Sequence, residues 1–423
     1  MIRLAAVIEA FEADFLAQYG GRLTPAHGQA LAAMKCCRTQ ASLKMQVQCT
    51  ACEHQKLVPH SCGHRHCPHC QHHESQQWLE RQLKKQLPAE YLLLTFTLPA
   101  EFRALTWANQ GVVYELLLQS CWQTVRTFAQ NDRQLQGTPG AIAVLHTNTR
   151  RLDYHPHVHL VMPAAAVDAQ RRQWRTKRGG KAKGGYLFNQ KALAKVFRAK
   201  VLAAIEAAGL TLPAAYPKAW VVDCRSVGTG APALIYLGRY LYRGVIREAD
   251  IVACEDGQVS FRYCNAKTGR IERRTVSGAD FLWLVVQHVL PKGFRRARNF
   301  GFLHPNCKRL IAVLHVLLKF VPFQAMAGFK ERAPILCPRC GAVMVIVRTR
   351  IPSLFSAPIP VPLAPELTLS HNPSADGSAM VCSCRKKGTM CVGQAQGACG
   401  GGVAKTRYML VMSSSRWMPI QRA

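Results

Sequence analysis

Acidic side chains are scarce in this sequence. Asp and Glu number 23 against 55 Lys and Arg in 423 residues, for a formal net charge of +32. That imbalance makes a polyanion the natural partner, with nucleic acid first. Long apolar runs are also missing. No stretch of roughly 18 uninterrupted apolar residues exists, which argues against a transmembrane helix. The first fifteen residues interleave Glu9, Glu12 and Asp14 with apolar positions. This is the pattern of an amphipathic helix and not of a signal peptide, so the expected location is the cytoplasm, at the nucleoid. The cations are spread along the chain and not gathered on one amphipathic helix, which disfavours a membrane surface as partner. A G-x-x-x-x-G-K-[ST] phosphate loop is absent, as is any clear internal repeat. Disorder of the whole chain is excluded by a content of 49% hydrophobic and 18% charged residues.

What the chain does have is clustered thiols and imidazoles: 18 Cys and 16 His. In a reducing compartment, clustered thiols serve as metal ligands more often than as disulfides. Cys49-Thr-Ala-Cys52 and Cys67-Pro-His-Cys70 are two C-x2-C knuckles. Each brings two thiolates to one cation from a tight turn. The pair Cys49, Cys52, Cys67 and Cys70 is expected to form one closed tetrahedral site for structural Zn²⁺. Cys36, Cys37, Cys62, His64 and His66 stand nearby as ligands of a second site or as replacements for one of the four. A third knuckle, Cys337-Pro-Arg-Cys340, lacks a clean partner pair in the sequence around it.

The organisation divides into four zones. Residues 1–86 read as a helical and zinc-binding DNA-binding domain. Residues 88–300 alternate strand-like runs (Leu92–Leu98, Ala141–His146, His157–Met162, Val259–Tyr263) with helical ones (Val112–Ala129, Lys191–Ala208, Ala233–Arg243), an α+β pattern. Residues 301–350 carry an apolar helix, Cys307–Phe320, and the late knuckle. Residues 351–423 are rich in Pro, Ser and Gly and read as a disordered tail. A basic, Gly-rich insert at Arg171–Gly185 reads equally as a solvated loop or as a strand of cations tracking phosphates.

Two patterns carry chemistry. In His155-Pro-His157-Val-His159, the alternation of a strand puts His157 and His159 on one face, about 7 Å apart along the chain, where both can reach a divalent cation. The run Ala141–His146 is expected to lie antiparallel beside it, so that His146 becomes a third ligand, with His155 as competitor. Three ligands with open positions describe a catalytic metal site. The second pattern is a helix with Pro232 near its first turn. Tyr236 and Tyr240 project from one face of it, and Arg239 and Arg243 form a second pair four residues apart. The tyrosines are candidate nucleophiles and the arginines candidate phosphate ligands. A phenol has a pKa near 10, so it needs help from a metal or from neighbouring cations.

His157-Val-His159 followed by Tyr236-x-x-x-Tyr240, behind a cysteine module, resembles the HUH endonucleases, and within them the two-tyrosine rolling-circle transposases of the insertion sequence 91 family. The resemblance extends to Ser61–Gln71, Thr95-Phe-Thr-Leu-Pro99 and His288–Phe294, and spans about residues 25–345. It implies an antiparallel palm sheet flanked by helices and preceded by a small zinc-ribbon-like and helical domain. It also implies Mg²⁺ or Mn²⁺ on His157, His159 and a third group. One tyrosine would form a 5′-phosphotyrosine on single-stranded DNA at element ends, the other would take the second strand transfer, and host replication proteins would assist. A plasmid replication initiator or relaxase shares this chemistry. A non-catalytic zinc-finger regulator is the alternative of a different class.

Overall fold

The computed structural model describes residues 2–70, 72–177, 188–241, 244–265, 268–322 and 334–352, and of His72, His73, Arg239 and Tyr240 it describes the backbone only. The chain opens with α1 (Leu4–Tyr19) and α2 (Pro25–Cys36). Pro25 sits in the first turn of α2. His27 folds back so that its Nδ1 accepts the backbone N–H of Thr24 at 3.0 Å. This is a capping box with imidazole in the usual Glu position. A hairpin, β1 (Lys44–Cys49) and β2 (Gln55–Pro59), follows, and then α3 (His72–Leu83).

The central region begins with β3 (Tyr91–Thr97), α4 (Arg103–Ala108) and α5 (Gln110–Asn131). It continues through β4 (Thr138–Asn148), β5 (Tyr154–Pro163), β6 (Ala165–Asp168) and β7 (Gln173–Thr176) to α6 (Gln190–Ala207), β8 (Val222–Ser226) and α7 (Ala231–Leu241). Next come a small meander, β9 (Ile251–Glu255), β10 (Gln258–Cys264) and β11 (Ile271–Ser277), and α8 (Gly278–Val286). The described chain closes with β12 (Ala297–Gly301), α9 (Lys308–Leu317), β13 (Ile335–Leu336) and β14 (Val343–Ile351). Part of the expected basic insert is thus strand β7. Its residues 178–187 lie outside the described residues, as does the tail from 353 onward. No helix among the described residues is long and apolar enough to cross a membrane.

The palm is an antiparallel sheet ordered β7-β6-β4-β5-β3-β8, with β12 also pairing β4. Alternation along the strands gives it two different faces. Leu92, Leu94, Phe96, Leu145, Val158 and Leu160 point to one side and bury against Leu117, Leu118 and Cys121 of α5 and Phe197 and Val201 of α6. Each such aliphatic or aromatic side chain contributes about 1.5–3 kcal/mol by leaving water. The opposite face is apolar at one end only. Leu93, Val144 and Val161 pack there with Leu79 of α3, Leu234 and Leu237 of α7, and Ile311 and Leu314 of α9.

The segments on either side of residue 86 are packed together. Val7, Ile8 and Phe15 of α1 share a core with Phe261 of β10 and Phe281 and Leu282 of α8. The backbone N–H of Leu4 donates to the buried Glu248 carboxylate at 2.7 Å. The late knuckle joins the N-terminal hairpin. β14 pairs antiparallel with β1, so that 334–352 completes a sheet of order β13-β14-β1-β2 begun by residues 44–59.

Candidate active site and metal centres

The expected pairing of Ala141–His146 with the His-Val-His strand is present. His146 stands opposite His157, and Val144 opposite His159. On the other side of β5, Thr95 of β3 stands opposite His159. His146, His157 and His159 therefore share one face and converge. Each offers a ring nitrogen, and these lie within 4.8 Å of one another. Ring centroids are 5.2 Å apart for His146 and His157, 4.3 Å for His146 and His159, and 5.0 Å for His157 and His159. His155, the competitor for third ligand, turns instead towards Arg103, whose Nη2 is 3.3 Å from its Nδ1.

The outer ring nitrogens fix which atom each histidine presents. His157 Nδ1 donates to the carbonyl of His155 at 2.7 Å, and His159 Nδ1 lies 3.1 Å from the Thr95 hydroxyl. In both residues the Nε2 lone pair is then left for a cation, the arrangement by which outer partners orient metal-binding imidazoles. Burial drives all three rings towards neutrality. It lowers His157 to about 4, against the opposing hydrogen bond to the His155 carbonyl, and His159 to about 3, with help from His157 and Arg225. It pushes His146 well below 6.5, reinforced by His159, His157 and Arg296. Neutral imidazole is the form that ligates. Three nitrogens with no carboxylate among them suit a divalent cation that also takes oxygen ligands from a phosphate. Thr95 is the candidate positioning residue that the strand pattern alone does not single out. Its signal is cross-strand register, which a sequence read one strand at a time cannot supply.

Tyr236, on α7, approaches this trio. The residue is 49% exposed, and its ring centroid is 6.3 Å from that of His159 with the planes at 80°. Of the companions named with it, Tyr240 and Arg239 fall in α7 but their side chains lie outside the described residues, as does all of Arg243. Two glycines, one in α7 and one beyond its end, mark close approaches. A Cβ at Gly238 would come within 3.3 Å of the Trp78 ring of α3, and Ser75 Oγ donates to the Gly238 carbonyl at 2.9 Å. A Cβ at Gly244 would come within 3.0 Å of Pro68, inside the second knuckle. The close approach at Gly238 is therefore to another helix.

The cysteines correct the expected zinc site. Cys49, Cys52, Cys67 and Cys70 do not surround one ion. Cys67 and Cys70 group with Cys37 and Cys62, and Cys49 and Cys52 group with Cys337 and Cys340. The reason is topological. Cys49 and Cys52 ride the turn between β1 and β2. Cys67 and Cys70 precede α3 and pack beside Cys37, which follows α2. Sulfur separations in the first group are 3.6 Å for Cys37 and Cys70 and 3.5 Å for Cys62 and Cys70. Backbone N–H groups of Cys52 and Ala51 point at Cys49 Sγ and pull its thiol down to about 6. His64 and His66 are not in either group. His66 Nε2 accepts the backbone N–H of Leu290 at 3.1 Å, and His69 pairs with Glu248 at 2.7 Å.

Comparison with known proteins matches two stretches of the chain. Residues 140–310 match a family described as "Putative transposase", and residues 7–98 match the "Transposase zinc-binding domain" of the insertion sequence 91 type. The chain is 32% identical over 321 residues to "Putative transposase y4qJ" of Sinorhizobium fredii, covering 69% of this chain and 79% of that one. It is 29% identical over 323 residues to the "Transposase for insertion sequence element IS801" of Pseudomonas savastanoi pv. phaseolicola, covering 70% and 76%. The matched zinc-binding domain and the cysteine groups together support Zn²⁺ as a structural cofactor. The chain belongs to the insertion sequence 91 family of transposases, enzymes that cut DNA and move it.

Proposed function

We propose that this transposase nicks and rejoins single-stranded DNA at element ends by tyrosine transesterification. The observation that carries the reading is the approach of the Tyr236 ring to His159, beside a face on which three neutral imidazoles converge. Bound by His146, His157 and His159, Mg²⁺ or Mn²⁺ would supply Lewis-acid polarisation of a phosphate oxygen.

The chain's own residues do the rest. A tyrosine oxygen attacks the scissile phosphorus and gives up its proton to solvent. The 3′ oxygen leaves and takes a proton, so one phosphoester is exchanged for another and no nucleotide is spent. The product is a 5′-phosphotyrosine with a free 3′-OH. Tyr240, one turn along α7, would take the second transfer without release of the first link. Arg225 and Arg296 raise the positive potential around the histidines, as their effect on those rings records, and would steady the phosphate charge. Arg239 and Arg243 would add phosphate contacts. On this reading the protein works at the nucleoid, with host replication proteins filling in the displaced strand.

The test incubates purified protein with an end-derived oligonucleotide and Mn²⁺, and follows the covalent adduct on a denaturing gel. The adduct is expected to vanish in the Tyr236→Phe/Tyr240→Phe protein. In His157→Ala it is expected to fall about 10³-fold, the equivalent of several kcal/mol of lost stabilisation. An undiminished adduct in His157→Ala would overturn the metal assignment. Tight DNA binding with no adduct for any end sequence would overturn strand transfer altogether.

A further inference from the structure

The family match at residues 7–98 takes in Cys37, Cys62, Cys67 and Cys70 whole. It takes in only half of the other group, because Cys337 and Cys340 lie beyond both matched regions. We propose that Cys49, Cys52, Cys337 and Cys340 form a second, separate zinc centre. It would clasp the far end of the chain onto the N-terminal hairpin, so that the zinc-binding part of this protein is assembled from two segments.

Geometry comes first. The four sulfurs lie within 4.8 Å of one another. Three separations are 3.4 Å for Cys49 and Cys340, 3.6 Å for Cys52 and Cys337, and 3.5 Å for Cys340 and Cys52. Four thiolates held tetrahedrally at 2.3 Å from zinc stand roughly 3.8 Å apart, whereas a disulfide needs about 2.05 Å. Each knuckle occupies a hairpin turn, one between β1 and β2 and one between β13 and β14. The N–H groups of Cys52 and Arg339 each point at the first sulfur of their own knuckle at 3.4 Å. Two hairpin turns facing one another across four sulfurs is the form of a closed structural site.

Packing gives an independent argument. The sheet β13-β14-β1-β2 fully buries Val47, Cys49, Cys337 and Met344 as its own core, with Met45, Val58, Ile335 and Ala342 partly buried against them. Four residues, two of them ligands, bury too little apolar surface to order four strands, and an isolated hairpin is marginal in water. A metal fills that deficit in small folds of this kind. The two knuckles are 285 positions apart between Cys52 and Cys337. Closing so long a loop gains little from local sequence, so the cation is what holds the return of residues 334–352 in place. This inference stands apart from the strand-transfer reading and survives its failure.

Elemental analysis of the full-length protein tests it. Two zinc per chain are expected. Cys337→Ser/Cys340→Ser should lose one of them, as should Cys49→Ser/Cys52→Ser, and combining the four changes should lose no more. A wild-type chain with a single zinc, or a Cys337→Ser/Cys340→Ser protein that keeps two, would overturn the proposal. Should that variant fail to fold, thiol alkylation of the zinc-loaded wild type decides. Cys49, Cys52, Cys337 and Cys340 should be protected together and become reactive in step as a chelator is added. Prompt labelling of Cys337 and Cys340 while Cys49 and Cys52 stay protected would refute the clasp.

Discussion

In the palm, His157 and His159 stand on a strand whose other face is buried under α5 and α6. In the ribbon, Cys49 and Cys337 are themselves half of the buried core. The first arrangement is set by apolar packing before any ion arrives. The second has nothing comparable beneath it, so its ligands and its fold are the same atoms. On the proposed reading metal would play unequal parts in the two regions: it would act upon a finished surface in one and finish the surface in the other.

The largest effect separating them is expected from chelation. Structural zinc on thiolates contributes on the order of 10 kcal/mol. Removing it should abolish amide-exchange protection in residues 44–59 and 334–351, while β3, β4 and β5 exchange as before. Equal loss in palm and ribbon would break the comparison.

Acid should act in the opposite sense, on the packed regions first. Burial lowers His27 and His288 to about 4 from an unfolded value of 6.5. His27 Nδ1 accepts from Thr24, and His288 holds the Leu152 carbonyl at 2.9 Å and the Thr147 hydroxyl at 3.2 Å. As pH falls below 6.5 the unfolded chain takes up protons that the native one refuses. Stability is then complete above about 6.5 and drains away down to about 4, by about 3 kcal/mol for each histidine. Denaturant midpoints measured across that window should show the limb in the parent protein. His288→Gln should shorten it. A midpoint that does not move between pH 7 and 4 would mean that these rings are not held neutral.

The smallest effect sharpens the palm alone. Thr95→Val keeps the β-branched shape but removes the hydroxyl that faces His159 Nδ1. Mn²⁺ affinity, measured by titration calorimetry, should weaken about 10- to 100-fold with the fold intact. Unchanged affinity would show that the strand alone orients the ring.

These differences also explain what could be read from the residues. Alternation in His157-Val-His159, the four-residue spacing of Tyr236 and Tyr240, and the apolar run of Ala141–Leu145 are local signals, and the antiparallel β4–β5 pair with His146 beside His157 follows from them. The thiol grouping is another matter. A thiolate in one C-x2-C turn is chemically the same as in another, so spacing says that sites exist and not which turns meet. Only the return of β14 to β1 decides that, from nearly three hundred positions away. The packing of α1 on α8 escapes for the same reason: each helix shows an apolar stripe, and neither names its partner.

The seat of the tyrosine helix has one more consequence. With Trp78 pressed to Gly238, the helix that follows the second knuckle serves as an anvil under the proposed nucleophile. On the proposed reading, any push transmitted from the cysteine module through that anvil would arrive at the phenol as a change of aim.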